Sequence, residues 1–151
     1  MIKKYYSVAI VMISYNDELI IRDCLESIRK QEYPSGKVEI LLVDGGSTDE
    51  TIEIAKEYGA NVIIRKDLKD KPHKRGEIAT MTPKTDLIIF FSADNRFQEK
   101  DCMLKMIEPF YDTDVVASET LKYGYDKNDP ILSRYFFASS CGMSIYERTP
   151  W

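Results

Sequence analysis

Two aspartates in this chain stand where an apolar run gives way to a turn. Val38-Glu39-Ile40-Leu41-Leu42-Val43 leads into Asp44-Gly45-Gly46, and Leu87-Ile88-Ile89-Phe90-Phe91 leads into Ser92-Ala93-Asp94-Asn95. Two roles fit Asp44. A carboxylate withdrawn from water needs hydrogen-bond donors, which a ligand can supply, and Asp before Gly is also ordinary turn chemistry. Asp94 suits a hard cation such as Mg²⁺ or Mn²⁺, which takes one or two carboxylates together with phosphate oxygens. Asn95 would then add an uncharged oxygen, although Asp-Asn after a strand also makes a plain turn. A third group is basic. Lys66, Lys69, Lys71, Lys74 and Arg75 crowd a polar stretch with Asp67, Asp70, Pro72 and His73. It reads either as a solvated charged loop or as a local positive patch for phosphate ending at Lys74 and Arg75. His73 has no second His or Cys at ligand spacing and is taken as a surface residue.

The elements that must position these groups alternate along the chain. Tyr6 to Ser14 is a nearly unbroken apolar strand, the pattern of a strand covered on both faces. Asn16 or Asp17 caps a helix to about Gln31, with Ile21, Cys24, Leu25 and Ile28 at i, i+3, i+4 and i+7. After the Asp44 strand, Ser47 and Glu50 form a capping box for a second helix that turns Ile52, Ala55 and Tyr58 inward and stops at Gly59. A short strand at Asn61–Arg65 precedes the charged loop. A helical turn at Glu77–Met81 then leads into the Asp86–Phe91 strand. Lys100–Phe110 forms a helix with Met103, Met106, Ile107 and Phe110 on its core face, and Asp114–Ser118 is a further strand. Strands separated by helices of this length imply right-handed crossovers. The expected fold is therefore α/β, a mostly parallel, doubly wound, Rossmann-like sheet flanked by helices. Its carboxyl edge, where such sheets bind ligands, would carry both Asp44 and Asp94.

Composition narrows the function. The 151 residues fit one domain and are 44% hydrophobic and 30% charged, as in a soluble globular chain. The net charge of −4 argues against nucleic acid as a partner. Three distant cysteines make neither a disulfide framework nor a zinc site, and reduced thiols in a cytoplasmic setting are expected. The run Val8–Ile13 is too short to span a membrane, so no transmembrane segment is expected in this chain. A nicotinamide-binding fold would need G-x-G-x-x-G after the first strand, and Ser14-Tyr15-Asn16-Asp17-Glu18-Leu19 has no glycine. A P-loop is likewise missing.

Val8-Ala9-Ile10-Val11-Met12-Ile13-Ser14-Tyr15-Asn16, Leu42-Val43-Asp44-Gly45-Gly46-Ser47-Thr48-Asp49-Glu50-Thr51 and Phe90-Phe91-Ser92-Ala93-Asp94-Asn95 resemble, in order and spacing, the family 2 glycosyltransferases of the GT-A fold. The similarity runs from about Ser7 to the C-terminus. It implies a nucleotide-diphosphate sugar donor, inverting transfer, and Mg²⁺ or Mn²⁺ as the cofactor. Carried over by position, Ser14 and Tyr15 match the segment that packs on the base and Asp44 matches the aspartate that hydrogen-bonds it. Lys74, Arg75 and Ala93 join the nucleotide site, Asp94 matches the metal-binding aspartate, and Ser140 and Gly142 match the stretch that closes over the donor sugar. Met143–Arg148 resembles the strand that follows.

The departures from the family pattern are specific. Ser92 stands where the family has a first metal-binding aspartate, the Ala-x-x-Asn helix is missing between Gly76 and Pro83, and no carboxylate matches the family's catalytic base. The expectation is one domain over residues 1–151 that is the donor-binding part of a longer cytoplasmic enzyme, either free or at the cytoplasmic face of the membrane. Its acceptor would be a glycan, lipid or protein. By itself it would bind donor without transferring sugar. The alternative is a non-catalytic nucleotide- or partner-binding module on the same scaffold.

Overall fold

The computed structural model describes residues 5–119 and 144–147. Six strands form one sheet: β1 (Val8–Ser14), β2 (Val38–Asp44), β3 (Asn61–Ile64), β4 (Leu87–Phe90), β5 (Ala117–Glu119) and β6 (Ser144–Glu147), in the order β3-β2-β1-β4-β6-β5. The first four are mutually parallel and β6 and β5 add an antiparallel edge. This is the expected α/β architecture.

The apolar run of β1 is explained by its position. Val8, Ile10 and Met12 point into a core with Ile21, Cys24, Leu25 and Ile28 of helix α1 (Glu18–Arg29) and Met103, Met106 and Ile107 of α4 (Cys102–Ile107). Ala9 and Val11 point to the other face, where Leu41, Val43 and Ile88 pack with Ala79 of α3 (Pro72–Met81). Period-2 alternation is invisible in such a strand because both of its faces are buried. Helix α2 (Thr51–Glu57) buries Ile52, Ile54 and Ala55, while Tyr58 is only half-buried, with the guanidinium groups of Arg22 and Arg29 over its ring.

Two local expectations are corrected. Ser47 and Glu50 do not form a capping box: α2 begins at Thr51, and the Ser47 hydroxyl is taken by Asp44 and Asn16. The Lys66–Arg75 stretch is not one loop either. Lys66–Leu68 makes a 3₁₀ turn, and Pro72 opens a ten-residue helix that holds both Lys74 and Arg75. Proline suits that first position, where its missing N–H has no helical partner.

Parallel pairing fixes the register of the carboxyl edge. Ser14 lies beside Asp44, and Val11 lies beside Phe90, so the chain leaves β4 for Ser92–Asp94 at the same edge as it leaves β1 and β2. Asp44 and Asp94 therefore share one side of the sheet, as expected.

Candidate functional site

The edge is built from three turns. In the turn after β2, Asp44 is fully buried and all four of its acceptor positions are used. The N–H groups of Gly46 and Ser47 donate to Oδ1, each at 2.7 Å, and the hydroxyls of Ser14 (2.8 Å) and Ser47 (2.6 Å) donate to Oδ2. Gly46 adopts φ +88°, which only glycine reaches without strain, and a Cβ there would stand 2.5 Å from Lys66 Cγ. The structure shows Asp44 holding this turn together.

The turn after β1 interlocks with it. Asn16, at φ 55°, takes the left-handed conformation that asparagine tolerates. Its N–H donates to Ser47 Oγ and its side-chain oxygen accepts from Thr48 N–H. The Asp17 N–H donates to Thr51 Oγ1, the Glu18 N–H to Asp49 Oδ2, and the Glu50 N–H to Glu18 Oε2. The first turns of α1 and α2 thus cap each other. This gives Ser47, Asp49 and Thr51 of the sequence motif a structural reason to be where they are.

Tyr15 follows Ser14 out of this knot and is half-buried. Gly45 backs it: a Cβ on Gly45 would lie 3.2 Å from Tyr15 Cδ2 and 2.8 Å from Arg75 Nη1. Arg75 is 5% exposed. Its Nη1 donates to the carbonyls of Leu68 (2.7 Å) and Lys69 (2.5 Å), while Nε is buried with no partner, and no carboxylate among the described residues pairs with the group. A buried guanidinium without an anion is costly. Lys74, the other basic residue expected here, faces solvent and is held by Glu77 at 2.9 Å, so the two neighbours part company. Arg75 is buried beside Gly45 and Lys74 stays on the helix surface.

The third turn carries Ser92-Ala93-Asp94-Asn95, closed by the Asn95 N–H on Ser92 O. Ala93 is buried, so only its backbone can meet a ligand, whereas Ser92 and Asp94 are exposed. Asp94 makes no hydrogen bond or ion pair among the described residues. Its charge is nonetheless felt by Asp17. Burial pushes the Asp17 carboxyl above its usual range, and Asp49, Asp44 and Asp94 push it further. Among the described residues no three His, Cys, Asp or Glu side chains converge to hold a metal by themselves. A single free carboxylate fits an ion held jointly with phosphate oxygens.

Ser140 and Gly142 lie outside the described residues. Sequence reasoning misses Asp17 and Lys69. In the sequence Asp17 reads only as a helix cap, whereas its side chain accepts from Tyr15 N–H. Lys69 is one charge in a run, yet it stands over the Tyr15 ring with Nζ 4.6 Å from the centroid. No spacing rule distinguishes it from its neighbours.

Comparison with known proteins follows the same outline. Beta-monoglucosyldiacylglycerol synthase of Nostoc sp. is 29% identical over 117 residues, covering 74% of this chain and 25% of that protein. A Methanococcus voltae dolichyl N-acetyl-alpha-D-glucosaminyl phosphate 3-beta-D-2,3-diacetamido-2,3-dideoxy-beta-D-glucuronosyltransferase is 31% identical over 108 residues, 68% of this chain and 33% of that protein. The chain thus spans a quarter to a third of these relatives. Among solved structures, the mannosyltransferase PcManGT of Pyrobaculum calidifontis, in complex with GDP-Man and Mn²⁺, superposes with a TM-score of 0.77 at 18% identity over 97% of this chain and 46% of its own. S. aureus TarS 1–349 in complex with UDP-GlcNAc gives 0.70 at 22% identity over 93% of this chain and 45% of its own. Among the described residues no helix is long and apolar enough to cross a membrane. Residues 9–149 match the family described as Glycosyl transferase family 2, and with the GT-A architecture of its structural neighbours the chain belongs to that family.

Proposed function

We propose that this chain is the donor-binding part of an inverting glycosyltransferase that uses a nucleotide-diphosphate sugar with Mg²⁺ or Mn²⁺. The observation that carries the reading is Arg75, a buried guanidinium with an unpartnered Nε behind Tyr15, on the edge that also carries the exposed Asp94. A base against Tyr15 and a diphosphate between Arg75 and Asp94 would supply the missing anion and the missing metal ligands together. In this arrangement Ser14 and Asp44 hold the turn on which Tyr15 and Gly45 are placed, the backbone of Ala93 meets the nucleotide, and Lys74 adds positive potential from the helix surface. The donor-sugar role of Ser140 and Gly142 rests on the family resemblance alone. Asp94 would hold the divalent ion, whose chemistry is to stabilise negative charge developing on the departing nucleotide diphosphate. Two neighbours support the ligand class, one solved with GDP-Man and Mn²⁺ and the other with UDP-GlcNAc.

Titration calorimetry with UDP and GDP, with and without Mn²⁺, tests the proposal. Metal and nucleotide should each tighten binding of the other, because coupling free energies are reciprocal. Asp94→Ala should abolish that coupling and leave weaker binding of the nucleotide alone. Failure to bind either nucleotide would refute the reading. Ser92, in place of a second carboxylate, favours one rival, a non-catalytic nucleotide-binding module. Nucleotide binding indifferent to Mn²⁺ in the wild type would support that rival.

A further inference from the structure

Lys69 holds an aromatic ring where comparable lysines hold carboxylates. Lys30, Lys74 and Lys105 are each paired with Glu or Asp, but the Lys69 ammonium lies 4.6 Å from the centroid of Tyr15. We propose that Lys69 occupies the Tyr15 face as an internal stand-in for the base and thereby makes the site selective for phosphorylated nucleotides over nucleosides. A base stacking on that face must displace the ammonium, and a ligand that carries phosphate offers the displaced charge a partner within the site itself. This inference rests on the nucleotide reading of the site.

The geometry allows the side chain to move while its surroundings stay. The backbone under Lys69 is fastened, since the carbonyls of Leu68 and Lys69 both accept from Arg75 Nη1 and the Lys69 N–H donates to Lys66 O. The ring is fastened as well: the Tyr15 N–H donates to Asp17 Oδ2, and the Cδ2 edge backs onto Gly45. What remains mobile is the four-carbon stem of an exposed lysine, so displacement is a rotation of one side chain with no opening of the loop. The ammonium of an exposed lysine over a half-buried ring is held only weakly. It therefore competes on even terms with a neutral base and gives way readily to a base that brings its own anion.

The test is Lys69→Ala in the full chain, titrated calorimetrically with uridine and UDP and with guanosine and GDP. Clearing the ring should tighten nucleoside binding about 2- to 5-fold, the equivalent of one exposed cation–π contact. Losing the ammonium should weaken diphosphate binding several-fold, so the preference for diphosphate over nucleoside falls about tenfold or more. Lys69→Arg should restore that preference. Equal shifts for nucleoside and diphosphate, in a chain that binds both, would overturn the role of Lys69 and leave the nucleotide reading intact. A wild-type chain that binds neither would overturn both. A ligand-free check is the NMR signal of the Lys69 ε-methylene. It should lie upfield under the Tyr15 ring and return to its ordinary position when diphosphate is added. An unshifted signal in the free chain would also overturn the proposal.

Discussion

Replacing Asp44 by asparagine separates the two tasks its carboxylate could perform. The shape is kept, so the amide oxygen can take the Oδ1 position and accept from Gly46 and Ser47 N–H, now without charge. The amide nitrogen then faces the hydroxyls of Ser14 and Ser47, which must turn to accept. Ser47 Oγ already accepts from Asn16 N–H, which leaves it one lone pair. A hydrogen bond to a charged group contributes about 1.5–3 kcal/mol and a neutral one about 0.5–1.5. Removing the charge from the two backbone bonds alone therefore costs about 2–3 kcal/mol. Asp44→Ala leaves both N–H groups unpaired, at about 1–3 kcal/mol each, a large part of the ~5–15 kcal/mol that holds a domain of this kind together. Urea unfolding followed by circular dichroism would show both losses as lower midpoints at unchanged slope. Suppose instead that Asp44→Asn unfolds at the wild-type midpoint and has lost its affinity for nucleotide. The carboxylate would then serve a ligand, and its charge would not be what holds the turn.

Gly45→Ala should cost about 1–3 kcal/mol by overpacking, because its Cβ would meet Arg75 Nη1 at 2.8 Å and Tyr15 Cδ2 at 3.2 Å. A thermal melt indistinguishable from wild type would show that the guanidinium has room to retreat. Burial, then Asp49, Asp44 and Asp94, raise the folded-state pKa of Asp17 above its unfolded value near 3.8. Its ionised form therefore opposes folding at neutral pH, and that cost disappears as pH falls through the folded pKa toward the unfolded one. Asp17→Asn, which can still accept from Tyr15 N–H, should stabilise the chain at pH 7 and have no effect near pH 3. A variant less stable than wild type at pH 7 would contradict this. Burial pushes the Cys24 thiol up to about 12. Iodoacetamide at pH 8 should accordingly spare Cys24 in the folded chain while labelling the partly exposed Cys102, and mass spectrometry of the digest distinguishes them.

The parts of the molecule legible in the sequence are those where one physical requirement dominates. The Ile21, Cys24, Leu25 and Ile28 stripe of α1 and the Met103, Met106, Ile107 and Phe110 stripe are readable because burial alone chooses those residues. The common edge of Asp44 and Asp94 is readable because parallel strands all point their carboxyl ends one way. Where two requirements compete, pattern reading fails. Ser47 and Glu50 have the spacing of a capping box, but a buried carboxylate three residues earlier claims the serine hydroxyl more strongly than a helix amide does. The Lys66–Arg75 charges conceal a helix because only Ala79 and Arg75 of α3 are buried, too few to print an amphipathic period. A buried arginine there reads as one more surface charge until the fold closes around it.

The same competition indicates which residues at this edge are left for a ligand. Ser47, Asp49 and Thr51 of the motif, together with Asn16 and Glu18, use their polar groups to join the turn after β1 to the turn after β2. Both turns are thereby fixed before anything binds, so a ligand loses little to ordering entropy when it uses them. Three groups stand outside that network: the face of Tyr15, covered by a single lysine; Arg75, with an unpaired Nε; and Asp94, exposed and without a hydrogen-bond partner among the described residues. An aromatic face, a cation and a carboxylate free to take a metal ion are the complements of a base, a phosphate and a divalent ion. The interlocked turns hold them in that arrangement. Substitutions in the network should therefore be read first in stability, substitutions of Tyr15 and Asp94 first in binding, and substitutions of Arg75, which also holds the Leu68 and Lys69 carbonyls, in both.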